Sequence, residues 1–503
     1  MDSRKNYVVA VDVGSSEVVI AVGSMAEGGT VNIETVVAEP LTGVSAGLVE
    51  NSQTVAEALR RARVRAEQEV GVAITDAYVT ISGRFVRCAR YTDHVFVEDN
   101  ENRISQRDLA ALRERMLNVK AGAGEVIMDL FPLCYKSDIG TELQNPVGCY
   151  SKQLSSTYNF ILCEDTAKDR LRRVFLDVGI KIRSMFAGAS VMAKSLVTSD
   201  EKEDGVAIVD IGSGVTDLAI YRGGVLCYIA SIPMGGSALN NDILGYDNNI
   251  PSRMVENLKK QCGSAVVELT PDDMIQVRNR GRAIKPIPRL NLAAVIEARM
   301  TDIAEYVWNE IREAGYAKKL GAGIVLTGGG ANLKNVGELF HRITEQEVRV
   351  ACAEIGVATE ALEKYASPSY TMALSLLLHG AEVGPCPVGV LIQRPAEPKT
   401  ESKAEPVKPV EPAQPAKPAQ SKVTPQPQVT PQPQPQPQPI QQPAEPNTLK
   451  GEDDNYGDDI TDGDDDVKPG RGGWFRGWGG KIKRAFTEAF PEPGEDVDGD
   501  DEY

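Results

Sequence analysis

The chain has 503 residues, long enough for two or more domains with cores of their own. Three His and eight scattered Cys, with no Cys-x-x-Cys pair, argue against a zinc site or a His-centred catalytic constellation. The net charge is −17, but nine Asp or Glu in residues 452–466 and seven in 492–502 nearly equal that imbalance; the rest is close to neutral, without the basic patch that nucleic-acid binding would want.

From Met1 the chain runs straight into a strand with no signal-peptide core, and no apolar stretch reaches the roughly 18 residues of a membrane span. A reduced, cytoplasmic protein is therefore expected. The first element is Val9-Ala10-Val11-Asp12-Val13-Gly14-Ser15-Ser16-Glu17-Val18-Val19-Ile20: two β-branched apolar runs joined by a tight Gly turn, which predicts a buried hairpin. Gly14 lets backbone approach a ligand closely, successive N–H groups of such a turn form an anion-binding concavity, and Ser15 and Ser16 add hydroxyl donors. Asp12 would repel bare phosphate and makes sense if a hydrated Mg²⁺ lies between them. Residues Val209-Asp210-Ile211-Gly212-Ser213-Gly214-Val215-Thr216-Asp217-Leu218-Ala219-Ile220 repeat the pattern, with Asp210 in the place of Asp12. Two copies predict a duplicated α/β domain with a cleft between its halves, each half offering one phosphate-gripping turn. A third motif, Gly323-Ile324-Val325-Leu326-Thr327-Gly328-Gly329-Gly330, is a strand that ends in bare backbone, against which adenine or ribose can lie.

Residues 1–385 alternate strand and helix patterns. The composition then changes abruptly to Pro, Gln, Ala, Lys and Glu, which cannot bury a core and predicts an extended, partly polyproline-II linker over 386–470. Within 471–491 Trp474, Phe475, Trp478, Ile482, Phe486 and Phe490 recur at spacings of three and four, with Lys481, Lys483 and Arg484 off that face. A basic helix with bulky aromatics, too short to span, suits an anionic bilayer interface; docking on a protein partner is the other reading. Residues 492–503 are an acidic tail.

The order of the three glycine motifs resembles the actin-like ATPase superfamily. The segment 84–164, with Ile104-Ser105-Gln106-Arg107-Asp108-Leu109 and Asn145-Pro146-Val147-Gly148, together with Ile232-Pro233-Met234-Gly235-Gly236 and Val295-Ile296-Glu297-Ala298-Arg299, is similar to the bacterial FtsA family. The resemblance implies an actin-like duplicated ATPase fold with two lobes around a nucleotide cleft. It divides the chain into subdomain 1A (1–83 with 165–196), an FtsA-type subdomain 1C (84–164), 2A (197–240 with 310–385) and 2B (241–309). The disordered linker, amphipathic helix and tail follow.

It also implies roles. Asp12 and Asp210 would address Mg²⁺ through water; Gly14, Ser15, Ser16, Gly212, Ser213 and Gly214 would hold the phosphates of ATP. Gly235 and Gly236 would lie near ribose and phosphates, Glu256 and Lys259 would contact adenosine, and Gly328, Gly329 and Gly330 would back the nucleotide. Arg299 would stand near a surface of 2B that receives the tail peptide of FtsZ. Further expected partners are other copies of the chain in a filament, the anionic inner face of the cytoplasmic membrane, and later division proteins through 1C. Two residues depart from the pattern. Glu17 stands where FtsA often carries Lys. Ala187 stands where actins and chaperone ATPases place a Gln or Glu to orient the attacking water, so slow turnover is expected. The competing functions are a small-molecule kinase of the same superfamily, which would need a general base that the sequence does not reveal, and an actin-like adaptor of pilus assembly.

Overall fold

The computed structural model describes residues 6–25, 30–247, 249–278, 284–358 and 363–390, all in one compact unit. The β-branched runs form fully buried strands: Val8–Val11, Val18–Val22 and Val206–Val209 have almost no exposed surface. Strands covered on both faces need apolar side chains on both sides, which is why these runs do not alternate.

Two five-stranded sheets carry the same topology. In the first, the spatial order is Lys181–Ala187, Asp76–Ile81, Tyr7–Val13, Glu17–Met25, Val31–Pro40; in the second it is Val348–Val350, Ile324–Thr327, Val206–Ile211, Thr216–Arg222, Val225–Ile232. Each begins as an antiparallel meander and continues on the far side of its first strand by parallel additions. The repeat seen in two short motifs is thus a repeat of whole sheets. The ends of the two first strands, where the glycine turns sit, occupy equivalent places in the two lobes.

Each lobe carries an insertion. Between Asp76–Ile81 and Lys181–Ala187 lies a four-stranded sheet of Glu142–Leu143, Glu125–Lys136, Gln153–Glu164 and Val86–Phe96. With the helix Gln106–Leu117 it encloses a small separate core around Leu112, Met116, Leu154 and Phe160. Between Val225–Ile232 and Ile324–Thr327 lie the helices Gly236–Tyr246, Ser252–Cys262 and Arg289–Glu313 and the hairpin Met274–Arg278/Ile284–Pro288.

The chain returns to the first lobe earlier than its sequence suggested. The helix Thr371–Val383, expected within 2A, packs against the strands of the first sheet, and Gly380 sits so close to the Tyr78 ring that no side chain would fit there. It is apolar nearly all round, with Met372, Leu374, Leu376 and Leu377 buried, as a helix inserted between two layers must be. Residues 386–390, expected to open the linker, still belong to the fold: Cys386 N–H donates to Tyr7 O, and Val388–Val390 pairs with Val72–Ile74. The rest of the linker, the amphipathic segment with Trp474, Phe475, Trp478, Lys481, Ile482, Lys483, Arg484, Phe486 and Phe490, and the acidic tail lie outside the described residues.

Candidate functional site

The two glycine turns are closed by the same hydrogen bond. Gly14 N–H donates to Glu17 O at 3.0 Å and Gly212 N–H donates to Val215 O at 2.9 Å. Both turns face one cavity of about 790 Å³ between the lobes. Asp12, Gly14, Ser15, Ser16, Asp210, Gly212, Ser213, Gly214, Gly236, Glu256, Lys259, Gly328, Gly329 and Gly330 all line it. Gly235 lies just behind: its Cβ, if present, would meet Ser213 O at 2.8 Å, and Gly236 N–H donates to Gly212 O at 2.9 Å. A side chain at Gly235 would push the second turn away, so glycine here serves close backbone packing.

Asp12 and Asp210 end the first strands of the two repeats, and the hairpin register sets Asp217 beside Asp210. Asp210 and Asp217 are buried, at 8% and 4% exposure. Burial pushes Asp12 up to about 6, eased by Thr80 Oγ1 donating at 2.5 Å and reinforced by Asp217. Burial also raises Asp210 well above the usual carboxylate range, with Asp217 and Asp12 adding to the effect. Asp217 is raised by burial too, although Ser231 and Ser82 donate to it. Three carboxylates with so little neutralisation form a place that favours a cation. No set of three ligating side chains among the described residues has the spacing to bind a metal directly. A hydrated cation, held through its waters, would fit these carboxylates.

The far wall belongs to the second lobe. On the helix Ser252–Cys262, Lys259 Nζ donates to Gly236 O at 3.0 Å and to Glu256 Oε2 at 2.8 Å, and Asn240 Nδ2 donates to the same oxygen at 2.7 Å. Burial works against the charge on Glu256, but Lys259, Asn240 and Lys260 outweigh it and hold its carboxyl below the ordinary value. Opposite, the strand Ile324–Thr327 ends at Gly328, whose φ of 85° is open to glycine but strained for other residues, and the chain turns through Gly329–Asn332. The result is a pair of glycine turns at one end, buried carboxylates behind them, and a polar wall facing bare backbone at the other.

Arg299 stands apart from this cavity. Its guanidinium makes a two-bond contact with Asp242, at 2.6 and 3.1 Å, and a third to Asp302 at 3.0 Å, with its side chain 11% exposed. Its side chain ties the helix Arg289–Glu313 to Gly236–Tyr246. Ala187 precedes the short helix Gly188–Val191 and is buried, with no acid or amide in its place. The sequence assigned no role to Thr80, Ser82, Asp217, Asn240 or Lys260, all of which line the cavity. Asp217 was within reach: it is the one carboxylate in a mostly apolar second strand.

The sequence model described as "Cell division protein FtsA" matches residues 207–375. The chain is 29% identical over 388 residues to the cell division protein FtsA of Escherichia coli (strain K12), covering 75% of this chain and 91% of that protein. It is 28% identical over 354 residues to FtsA of Bacillus subtilis (strain 168), covering 70% and 79%. Among solved structures, the PilM-PilN type IV pilus biogenesis complex superposes with a TM-score of 0.52 at 13% identity, covering 74% of this chain and 98% of that one, a likeness of fold alone. Duplicated sheets, paired glycine turns and the cavity between them define an actin-like protein with two lobes. Within that class the chain is similar to the FtsA family, whose curated members are cell division proteins.

Proposed function

We propose that the chain binds Mg·ATP in the cavity between its lobes, polymerises at the inner face of the cytoplasmic membrane, and holds FtsZ there for septum assembly. The observation that carries this reading is the convergence of two equivalent turns and a glycine wall on one cavity large enough for a nucleotide. The Gly14–Ser16 and Gly212–Gly214 turns take the phosphates, Asp12 and Asp210 hold the waters of Mg²⁺, Glu256 and Lys259 face the adenosine, and Gly328–Gly330 back it. Mg²⁺, held through its waters by Asp12 and Asp210, would supply the positive charge that the buried carboxylates lack. The chain's own contribution is to position the phosphates with backbone N–H groups and to shield them from water.

With Ala187 where a water-orienting side chain would stand, the site favours binding over rapid turnover. No described helix is long and apolar enough to cross a membrane. Attachment is assigned to the segment 471–491, with Trp474, Trp478 and Phe486 in the acyl boundary and Lys481, Lys483 and Arg484 at the headgroups. FtsZ is assigned to the second-lobe insertion, 241–309, without a direct role for Arg299, and later division proteins to the inserted sheet of the first lobe.

Purified protein with Mg·ATP should form filaments on phosphatidylglycerol vesicles. Asp210→Ala should abolish tight Mg·ATP binding, and replacing Trp474, Trp478 and Phe486 by Ser should release the protein from vesicles with ATP binding intact. Turnover at tens per second, the range of an ordinary kinase, would overturn the scaffold reading.

A further inference from the structure

Glu17 is an awkward residue for a phosphate turn. A lysine there, as FtsA often carries, would add positive charge to the phosphates from the first lobe alone; a carboxylate repels them unless its charge is taken up. Glu17 sits where the turn closes, its carbonyl accepting the Gly14 N–H, so its side chain leaves from a fixed point on the cavity wall.

The cation that can take up its charge is on the other lobe. Lys260 lines the same cavity from the helix Ser252–Cys262. Its Nζ lies 3.3 Å from Glu256 Oε1, while Lys259 and Asn240 share Oε2. The Lys260 side chain is 67% exposed, so it can swing, and an ammonium has three donors where Glu256 engages one. Burial raises the Glu17 carboxyl; Lys260 acts to keep it ionised, against Asp12 and Glu256. Glu17 and Lys260 thus line one cavity from opposite lobes, with opposite charges at its wall.

We propose that Glu17 and Lys260 form an ion pair across the cleft that closes it over bound nucleotide and sets the rate of release. The proposal rests on the nucleotide reading of the cavity. It differs from a phosphate-gripping lysine in mechanism: a lysine holds the nucleotide from one lobe, whereas this pair holds the lobes to each other. Release then requires the lobes to part at this point, and its rate responds to salt because the pair is partly solvated.

The test uses the full chain loaded with a fluorescent N-methylanthraniloyl ATP and Mg²⁺, chased with excess ATP in a stopped-flow instrument. Glu17→Lys should release the probe about tenfold faster, since an attraction is lost and a repulsion of similar size gained. Lys260→Glu should do the same. The exchanged double variant Glu17→Lys/Lys260→Glu should return to within about twofold of the wild type, the signature of direct coupling. Raising KCl should speed release from the wild type and leave Glu17→Gln nearly unchanged. The proposal is overturned if Glu17→Lys slows release, as a lysine acting on phosphate alone would, or if the double variant is as fast as the single ones. Absence of probe binding to the wild-type chain would overturn the nucleotide reading itself, and this proposal with it.

Discussion

Asp12→Asn should make the nucleotide-free protein more stable while removing its response to Mg·ATP. The magnitude follows from the charge state of the cavity. In EDTA, with no cation present, Asp12 is pushed from 3.8 to about 6 by burial, with Asp217 contributing. At 1.36 kcal/mol per pKa unit, that rise corresponds to about 3 kcal/mol of destabilisation at pH 7.5. The sign is fixed by proton binding. Between 3.8 and 6 the folded chain holds a proton at Asp12 that the unfolded chain has released, so stability rises as pH falls through that window. Above about 6 both states are ionised and the full penalty stands. Asn has nearly the same shape, keeps an acceptor for Thr80 Oγ1 and carries no charge. Urea unfolding in EDTA should therefore show Asp12→Asn more stable by about 2–3 kcal/mol at pH 7.5, the gap shrinking to about half by pH 5. Saturating Mg·ATP should reverse the order, stabilising the wild type and not the variant. Equal or lower stability of Asp12→Asn at pH 7.5 in EDTA, or a gap unchanged at pH 5, would show that Asp12 is not held as a desolvated carboxylate.

Two neighbouring glycines should respond differently. At Gly328, φ is 85° and a Cβ would run into the Asp210 carboxylate and meet Ile211 O at 2.7 Å, whereas at Gly329 it would meet only Ser369 Oγ, at 3.8 Å. Gly328→Ala should cost about 2–4 kcal/mol and abolish nucleotide binding, with Gly329→Ala within about 0.5 kcal/mol of the wild type by urea unfolding. Arg299→Glu should place a third acid between Asp242 and Asp302 and destabilise the second-lobe insertion by about 3–5 kcal/mol, read as faster amide exchange across 236–313. Wild-type exchange in that variant would contradict the inward-facing role of Arg299.

What the sequence revealed and what it hid divide along chain separation. The glycine turns were legible because their chemistry is local: Gly14 and the Glu17 carbonyl that closes on it are three residues apart, and so are Gly212 and Val215. The ion pair of Arg299 was hidden because Asp242 is 57 residues away on another helix, and no short-range spacing marks the two as a pair. Thr80 was passed over for the same reason; it reaches Asp12 through a parallel strand 68 residues on. The lobe that holds the helix Thr371–Val383 could not be assigned from pattern alone. An all-apolar helix declares that it is buried, not which sheet buries it.

The departures at Ala187 and Glu17 point to the same step once the cavity is taken as a nucleotide site. An actin-like protein that orients water well can leave its bound state by hydrolysis. With Ala187 in that place, hydrolysis is expected to be slow, so that the bound state would last until nucleotide is released. The controlling barrier would then lie in parting the lobes, from which Glu17 and Lys260 line the cavity on opposite sides. One substitution removes the chemical exit and the other puts charge across the physical one. On this reading the lifetime of the closed state is set by an exposed ion pair, and so by ionic strength, more than by chemistry at the phosphate. Single-turnover measurements separate the two routes. In the wild type, ADP should form more slowly than intact ATP is released, and in Glu17→Lys the release rate should rise with the rate of ADP formation unchanged.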